Sequence, residues 1–322
     1  MKKLKVFVTR RWPDEIERAL AERFEVTLNQ LDEPLSQDEL SSAMADYDVL
    51  CPTVSDKIDG AVLNAGDRVR LIANYGVGFD HIDIGAAKAK GIAVSNTPGV
   101  LTDATADIAM TLLLMAARRA GEGERELREG RWTGWRPTHL LGSALKGKTL
   151  GLVGMGRIAI ATAQRAHHGF GMKIAYYNRR QIDPEVAQDL GATFHRSLSD
   201  LLAASDCVSL HIPGGAETAN LIDAHAIGLM KPGSYLINTA RGGVLDHEAL
   251  ADALDRGHLA GAGLDVYPHE PEIPEALLNL ENVVLLPHLG SANAETRIAM
   301  GMKALVNVEA FARGGPPPDR VV

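Results

Sequence analysis

The stretch Lys148-Thr-Leu-Gly-Leu-Val-Gly154-Met-Gly156-Arg-Ile-Ala159 combines an apolar run with closely spaced glycines. The run from Leu150 to Val153 predicts a buried strand, and the residues after it predict a turn that opens a helix. Gly154 allows a tight turn, Gly156 lets the main chain approach a pyrophosphate, and Ala159 allows close helix–strand packing. Free N–H groups at the start of the helix favour an anion there. The stretch therefore predicts a dinucleotide-binding turn.

The residues that follow the next predicted strand bear on which dinucleotide is bound. That strand, Lys173–Tyr177, comes one helix after the glycines, and without it the glycine pattern would be a weak signal. An NAD-specific fold places Asp or Glu about 20 residues beyond the glycines, where the carboxylate binds a ribose 2′-OH. This chain has Asn178, Arg179 and Arg180 instead. Because guanidinium groups bind a 2′-phosphate well, we expect NADP(H) to be preferred, with NAD(H) possible. The alternative is a solvated basic turn.

The composition is that of a soluble globular protein. A chain of 322 residues suggests two domains. The apolar content is 46%, and the net charge of −8 argues against a nucleic-acid partner. Cys51 and Cys207 lack metal-ligand spacing, so we expect buried thiols and neither a disulfide nor a metal site.

The sequence contains no recognisable targeting or membrane-spanning segment. The apolar run within Met1 to Arg10 is short and interrupted, which predicts a first strand rather than a signal peptide. No run approaches the roughly 20 apolar residues that cross a bilayer. We therefore expect no membrane association and a cytoplasmic location.

Strands and helices alternate along the chain, which predicts an α/β protein with two doubly wound parallel sheets. The strands predicted for the first sheet are Lys5–Thr9, Val26–Leu28, Val49–Cys51, Leu71–Ala73 and Ile92–Val94. The six predicted for the second are Thr149–Val153, Lys173–Tyr177, Cys207–Leu210, Ser234–Asn238, Gly261–Leu264 and Val283–Leu286.

Two long helices and the position of the glycine motif suggest how the domains are divided. One apolar helix is predicted from Thr102 to about Arg119, and the last helix from Ala292 to Phe311. Because the glycine motif lies in mid-chain, we predict a discontinuous first domain of residues 1–98 and 291–322. Residues 99–290 would form the dinucleotide-binding domain.

Four short motifs in the second half carry a family resemblance. They are Asn238-Thr-Ala-Arg241-Gly-Gly, Gly263-Leu-Asp265-Val, Glu270-Pro271 and Leu286-Pro-His288-Leu-Gly290-Ser291. In this order they resemble the D-isomer-specific 2-hydroxyacid dehydrogenases, and most of all the glyoxylate/hydroxypyruvate reductases, over essentially the whole chain. The resemblance implies a flavodoxin-like substrate domain, a Rossmann dinucleotide-binding domain, an active site in the cleft between them and a homodimer.

The resemblance assigns catalysis to Arg241, Glu270 and His288. Reducing a 2-oxo acid delivers hydride to the carbonyl carbon and builds negative charge on its oxygen, which must be protonated. His288 is the expected acid, and Glu270 would favour its protonated form and fix its tautomer. Arg241 would bind the substrate carboxylate and polarise the carbonyl. Each residue alone could be structural, but all three follow predicted strands at the edge where such folds bind ligands.

The resemblance also assigns substrate contacts. In Asn74-Tyr-Gly76-Val77-Gly78-Phe-Asp80, the N–H groups of Val77 and Gly78 would receive the substrate carboxylate, although such a turn could also be only a tight connection. Ser291 would lie near the substrate. Trp135 would enter the active site of the neighbouring subunit and restrict substrate size, with packing inside its own chain as the alternative.

The remaining assignments by resemblance concern the cofactor. Asp265 would hold the nicotinamide carboxamide, Thr105 would lie near the phosphates, and Ile212, Pro213 and Ala240 would line the ring. The full set of expected cofactor-binding residues is Thr105, Gly154, Met155, Gly156, Arg157, Ile158, Asn178, Arg179, Arg180, His211, Ile212, Pro213, Thr218, Thr239, Ala240, Asp265, His288 and Gly290.

These assignments predict an NADPH-preferring reductase of small 2-oxo acids, hydroxypyruvate and glyoxylate first, yielding D-glycerate and glycolate. One alternative is a D-2-hydroxyacid dehydrogenase that uses NADH on a bulkier 2-oxo acid. Another is a dinucleotide-sensing scaffold that recruits protein partners. The intact set of Arg241, Glu270 and His288 favours turnover.

Overall fold

The computed structural model describes residues 3–322, so Met1 and Lys2 of the predicted N-terminal segment lie outside the described residues. The chain forms two compact units. One comprises the described residues up to Leu101 together with Ser291–Val322, and the other is Thr102–Gly290. Each unit contains one parallel sheet, so the predicted α/β fold class with two doubly wound sheets is confirmed.

The first unit has five parallel strands in the order β2-β1-β3-β4-β5. They are β1 (Lys5–Val8), β2 (Glu25–Leu28), β3 (Val49–Cys51), β4 (Leu71–Ala73) and β5 (Ala93–Ser95). Its helices are α1 (Asp14–Arg23), α2 (Gln37–Asp46), α3 (Gly60–Asn64), α4 (Ile84–Ala89) and α13 (Ala294–Ala312). Every residue of β3 and β4 is apolar and buried, as expected for central strands that helices cover on both faces.

The C-terminal helix α13 belongs to this first unit. A Cβ atom on Gly301 would lie 2.7 Å from Ile16 Cγ1 of α1, so only glycine permits this approach of the two helices. The Tyr75 hydroxyl, just beyond β4, donates to the Arg297 carbonyl on α13 at 2.5 Å. Asn293 caps α13 by accepting from the Thr296 N–H at 2.8 Å, which explains why the helix begins after Asn293 rather than at 292 as predicted.

The second unit has seven parallel strands in the order β12-β11-β10-β9-β6-β7-β8. They are β6 (Thr149–Val153), β7 (Lys173–Tyr177), β8 (Thr193–His195), β9 (Cys207–Leu210), β10 (Ser234–Asn238), β11 (Leu259–Leu264) and β12 (Val283–Leu285). Its helices are α5 (Thr102–Ala117), α6 (Ala120–Arg128), α7 (Arg157–Gln164), α8 (Pro184–Asp189), α9 (Leu198–Ala204), α10 (Ala224–Leu229), α11 (His247–Asp255) and α12 (Glu275–Leu278). The last turn of α7 continues as a π-helical segment, Arg165–Gly169.

The second unit differs from the sequence prediction in one extra strand, in the end of one helix and in the start of β11 and the end of β12. The prediction of six strands was wrong, because β8 pairs with β7 at the edge of the sheet. This strand has three residues and no buried position, so it lacks the apolar pattern by which a strand is recognised. The helix predicted to run to Arg119 ends at Ala117, because Arg119 adopts φ +53° and starts the separate helix α6.

Both cysteines are free thiols in buried strands, as predicted. Burial raises the pKa of Cys51, and it raises the pKa of Cys207 to about 12. Both thiols are therefore protonated and unreactive at neutral pH. A search of the described residues reveals no helix whose length and apolar character would let it cross a bilayer.

Candidate active site

Most of the predicted site residues of the second unit follow its strands directly. Gly154 follows β6, Asn178 follows β7, His211 follows β9, Thr239 follows β10 and Asp265 follows β11. Since the strands are parallel, the residues that follow them lie at the same edge of the sheet. That edge is where open α/β sheets bind ligands.

His288 and Glu270 form a direct pair. The imidazole Nδ1 lies 2.7 Å from the Glu270 carboxylate oxygen Oε2, and about a third of each side chain is exposed. Because Nδ1 faces a carboxylate, it carries a proton and donates it. The opposite ring nitrogen, Nε2, is left to exchange a proton with a ligand.

The Glu270 carboxylate is held in its ionised form. Burial alone would raise its pKa, but the hydrogen bond from His288 and the positive charges of His288 and Arg241 lower it below the usual value. Its second oxygen, Oε1, accepts from the Tyr267 N–H at 3.0 Å. The carboxylate is therefore fixed on both oxygens and keeps the imidazole oriented.

The backbone at His288 is strained and is held by Asp265. His288 has φ +53°, a left-handed conformation that non-glycine residues rarely adopt. The two carboxylate oxygens of buried Asp265 accept from the N–H groups of Leu289 at 2.6 Å and Gly290 at 2.7 Å. Burial raises the pKa of Asp265, although these two hydrogen bonds and the charge of His288 oppose the rise. Asp265 thus fixes the turn that carries the imidazole.

Arg241 is placed by the end of β10. The buried side chain of Asn238 donates to the Arg241 carbonyl at 2.9 Å and accepts from the Ala240 N–H at 3.0 Å. The guanidinium Nη1 donates to the Ala240 carbonyl at 2.7 Å. A Cβ atom on Gly242 would lie 2.0 Å from the Tyr267 carbonyl carbon, so the Arg241 loop and the loop before Glu270 touch only because residue 242 is glycine.

The glycine turn has the geometry that the sequence predicted. Gly154 has φ +87°, and a Cβ there would lie 2.5 Å from the His211 carbonyl oxygen. By contrast, a Cβ on Gly156 would meet no atom within 4 Å, so this side of the turn is open. Met155 and Ala159 are buried, and α7 begins at Arg157 without a side-chain cap. The N–H groups of its first turn have no partner in the helix.

The turn after β7 presents two arginines. Asn178 is half-buried, and its amide donates to the Arg180 carbonyl at 3.0 Å, which closes the turn. Arg179 and Arg180 are exposed. Over residues 3–322, neither guanidinium pairs with a carboxylate, and the same holds for exposed Arg157. These arginines are available to an anion.

Other predicted cofactor residues lie in the segments that follow β9 and β10. The hydroxyl of Thr218 donates to the Pro213 carbonyl at 2.7 Å, which folds the loop after His211 and Ile212. Thr239 is buried, and within the described part of the chain its hydroxyl has no hydrogen-bond partner.

Thr105 contributes to the same edge of the sheet from α5. It is buried, and its hydroxyl donates to the Gly290 carbonyl at 2.9 Å. A Cβ on Gly290 would lie 3.2 Å from Asp265 Oδ2. The hydroxyl of Thr105 therefore braces the turn that Asp265 holds.

The first unit carries the predicted carboxylate-binding loop after β4. Neither the Val77 nor the Gly78 N–H donates to an acceptor within the described part of this unit. A Cβ on Gly76 would lie 3.4 Å from a methyl group of Val54. Ser291 lies at the start of the segment that returns to this unit, and its carbonyl accepts from the Asn293 N–H at 2.9 Å.

The loop after α6 exposes its aromatic side chains. Trp135 is 83% exposed and Trp132 is 50% exposed, and Leu127 and Leu141 nearby are also exposed. The alternative that Trp135 packs inside its own chain is therefore wrong. Large apolar side chains with this exposure are typical of surfaces that contact another molecule.

The second unit fits a nicotinamide dinucleotide. Space at Gly156, the uncapped start of α7 and the available arginines suit its phosphates. Buried Thr239 and Asp265 lie at the carboxyl ends of the neighbouring strands β10 and β11.

Two supporting residues received no role from the sequence. Asn238 anchors the Arg241 loop, and Tyr267 anchors the Glu270 carboxylate through its N–H and donates its hydroxyl to the Leu286 carbonyl at 2.9 Å. The only available signal was a polar residue at or just after the end of a buried strand.

Comparison with known proteins identifies relatives over the full length. Residues 110–290 match the model of the D-isomer specific 2-hydroxyacid dehydrogenase, NAD binding domain. The chain is 46% identical to the glyoxylate reductase of Thermococcus litoralis, over 99% of this chain and 97% of that protein.

Solved structures are similarly close. The TT0316 protein from Thermus thermophilus is 45% identical with a TM-score of 0.91, covering 99% of this chain and 100% of that one. An NADPH-dependent glyoxylate/hydroxypyruvate reductase from Sinorhizobium meliloti, solved in complex with NADP and malonate, is 36% identical with a TM-score of 0.89. That match covers 100% of this chain and 97% of the other.

Proposed function

Because the chain belongs to the D-isomer-specific 2-hydroxyacid dehydrogenases, NAD(P)-dependent oxidoreductases that reduce 2-oxo acids, we propose that it reduces glyoxylate and hydroxypyruvate with NADPH. The products are glycolate and D-glycerate. The observation that carries the proposal is the His288–Glu270 pair, with Nδ1 bound to the carboxylate at 2.7 Å and Nε2 left for the substrate. In this proposal residues 1–98 and 291–322 bind the substrate and residues 99–290 bind the dinucleotide.

Residues of this chain bind the substrate carboxylate, stabilise the charge that develops on the carbonyl oxygen and donate the proton. The reduced nicotinamide, when bound, supplies the hydride for the substrate carbonyl carbon. Protonated His288 donates from Nε2 to the carbonyl oxygen as negative charge develops there. Arg241 binds the substrate carboxylate together with the N–H groups of Val77 and Gly78, and it polarises the carbonyl. Glu270 stabilises the imidazolium before the transfer.

Activity with a panel of substrates tests the proposal. Oxidation of NADPH and of NADH is followed by absorbance with glyoxylate, hydroxypyruvate and longer 2-oxo acids. We expect the highest kcat/KM with NADPH and the two small acids. A preference for a bulkier acid with NADH would make the chain a dehydrogenase of different specificity, and no oxidation with any acid would favour the scaffold alternative.

Replacing Glu270 with glutamine is expected to move the pH profile of reduction. The His288 charge lowers the pKa of Glu270, so by linkage the ionised carboxylate stabilises the imidazolium. Glutamine carries no charge and removes that stabilisation, so reductive kcat/KM is expected to fall at lower pH than in the parent enzyme. A pH series of kcat/KM measures the shift, and an unchanged profile would remove Glu270 from this role.

The exposed tryptophan loop supports a homodimer. Our proposal places Trp135 of one subunit at the substrate pocket of the partner subunit, where the indole limits substrate length. The high exposure of Trp135 in the single chain supports this, since a free indole in water leaves a large apolar surface uncovered.

Replacing Trp135 with alanine is expected to shift substrate preference toward longer 2-oxo acids. Because Trp135 is 83% exposed in its own chain, its loss should not cost the roughly 3–5 kcal/mol of a buried tryptophan. The ratio of kcat/KM for long and short acids is measured beside the melting temperature and the mass in solution. The matched control is Trp132→Ala in the same loop, and an unchanged ratio in Trp135→Ala would contradict the assignment.

A further inference from the structure

Two asparagine side chains donate hydrogen bonds to the main-chain carbonyl groups of the turn that follows β4. The Asn74 amide donates to the Gly76 carbonyl at 3.1 Å and to the Gly78 carbonyl at 2.8 Å. The Asn96 amide donates to the Val77 carbonyl at 2.8 Å. Three successive carbonyl groups thus accept from side chains, and the Gly76 carbonyl also accepts from the Thr97 N–H at 3.0 Å. The N–H groups of Val77 and Gly78, in contrast, donate to no atom in the described part of this unit.

Because the peptide group is planar, a hydrogen bond that holds its carbonyl also orients its N–H. The carbonyl of one residue and the N–H of the next lie in one plane and point in opposite directions. Holding the Gly76 carbonyl therefore aims the Val77 N–H, and holding the Val77 carbonyl aims the Gly78 N–H. A donor on the carbonyl also polarises the peptide group and makes its N–H a stronger donor.

The orientation of Asn74 is itself fixed. The residue is 1% exposed, and its Oδ1 lies 3.0 Å from His81 Nε2. Since the amide NH2 serves the loop carbonyls, the amide oxygen accepts from the imidazole N–H. The hydrogen bond to His81 thereby helps to hold the Asn74 amide with its NH2 group toward the loop.

We propose that Asn74 and Asn96 are positioning residues that aim the N–H groups of Val77 and Gly78 at the substrate carboxylate. This inference rests on the proposed reduction of 2-oxo acids. It assigns carboxylate affinity to two side chains that do not touch the substrate and act through the peptide groups between them.

Kinetics of single variants test the proposal. In Asn96→Ala, KM for glyoxylate is expected to rise about tenfold, the effect of weakening one charge-assisted hydrogen bond. In Asn74→Ala the rise should be smaller, because the Thr97 N–H still holds the Gly76 carbonyl at 3.0 Å. The inhibition constant of oxalate, a carboxylate without a reducible carbonyl, should rise in parallel. Neither kcat nor KM for NADPH should change appreciably, because the chemistry and the dinucleotide use other residues.

A matched control separates positioning from general support. Asn29 follows β2 as Asn74 follows β4, and its amide also donates to two main-chain carbonyls, those of Thr9 at 2.8 Å and Glu33 at 2.7 Å. Asn29 is half-buried like Asn96, so Asn29→Ala should cost stability comparable to that of Asn96→Ala in a thermal melt and leave KM for glyoxylate unchanged. A purely structural role would make the three variants alike.

The outcomes distinguish the inference from the proposed function. An active parent enzyme with unchanged KM and oxalate inhibition in Asn96→Ala would overturn the positioning role alone. A fall in kcat without a rise in KM would also overturn it. A parent enzyme that reduces no 2-oxo acid would overturn the proposed function and this inference with it. If buried Asn74→Ala does not fold, Asn96→Ala decides, because Asn96 is only half-buried.

Discussion

Replacing His288 with alanine is expected to lower kcat for glyoxylate reduction by roughly 10²–10⁴-fold, the usual contribution of a positioned general acid. The carbonyl oxygen would have to take its proton from water, while Glu270 would be left without the imidazole that it binds at 2.7 Å. Single-turnover rates with saturating NADPH measure the effect on the reduction itself.

NADPH binding is the second measurement for the His288→Ala variant. The dissociation constant of NADPH, followed by fluorescence, should change little, because the phosphate contacts proposed here lie at the glycine turn and at Arg179 and Arg180. The control is His225→Ala, which removes an exposed histidine from α10 of the same unit. A His288 variant that keeps most of its kcat would contradict the assignment of the acid.

Replacing both Arg179 and Arg180 with alanine is expected to raise KM for NADPH by roughly 10²-fold or more while KM for NADH changes little. Each charge-assisted contact to a 2′-phosphate contributes about 1.5–3 kcal/mol, and only NADPH carries that group. Both side chains are exposed, so their loss should leave the melting temperature nearly unchanged.

The control for the arginine pair removes the same charge elsewhere. Arg18 and Arg256 are exposed on α1 and just after α11, and a double alanine variant at these positions lowers the net charge equally. If that variant raised KM for NADPH as much, the effect would come from the overall field of the protein. Equal losses for NADPH and NADH in the Arg179/Arg180 variant would remove the 2′-phosphate contact.

The sequence predicted those elements of the fold that depend on residues close together in the chain. The glycine turn was recognisable because Gly154 adopts positive φ and lies so close to the His211 carbonyl that a Cβ atom would clash, which excludes other residues there. Central strands such as β9 and β10 had the predicted bounds because they are short, mostly apolar runs in which every residue is buried. Strand β8 was missed because its stability comes from pairing with β7, which three half-exposed residues do not reveal.

The sequence predicted the reacting groups of the candidate site but not the residues that hold these groups in place. His288, Glu270 and Arg241 stand in recognisable motifs, so their proposed roles came from the sequence. The hydrogen bonds from Leu289 and Gly290 to Asp265 join residues far apart in the chain, and their geometry depends on the packing of β11 beside β12. The same holds for the Asn96 amide, which binds a carbonyl 19 positions earlier.

The return of α13 to the first unit sets an order for folding during synthesis. The ribosome makes β1 to β5 first, yet the helix whose Gly301 rests on Ile16 emerges only after the roughly 190 residues of the second unit. At about 5–20 residues per second, the first sheet waits on the order of 10–40 s for its covering helix. During that interval the surface that later covers Met300, Ala304 and Leu305 is exposed to water. The unit translated first is thus the last to be completed.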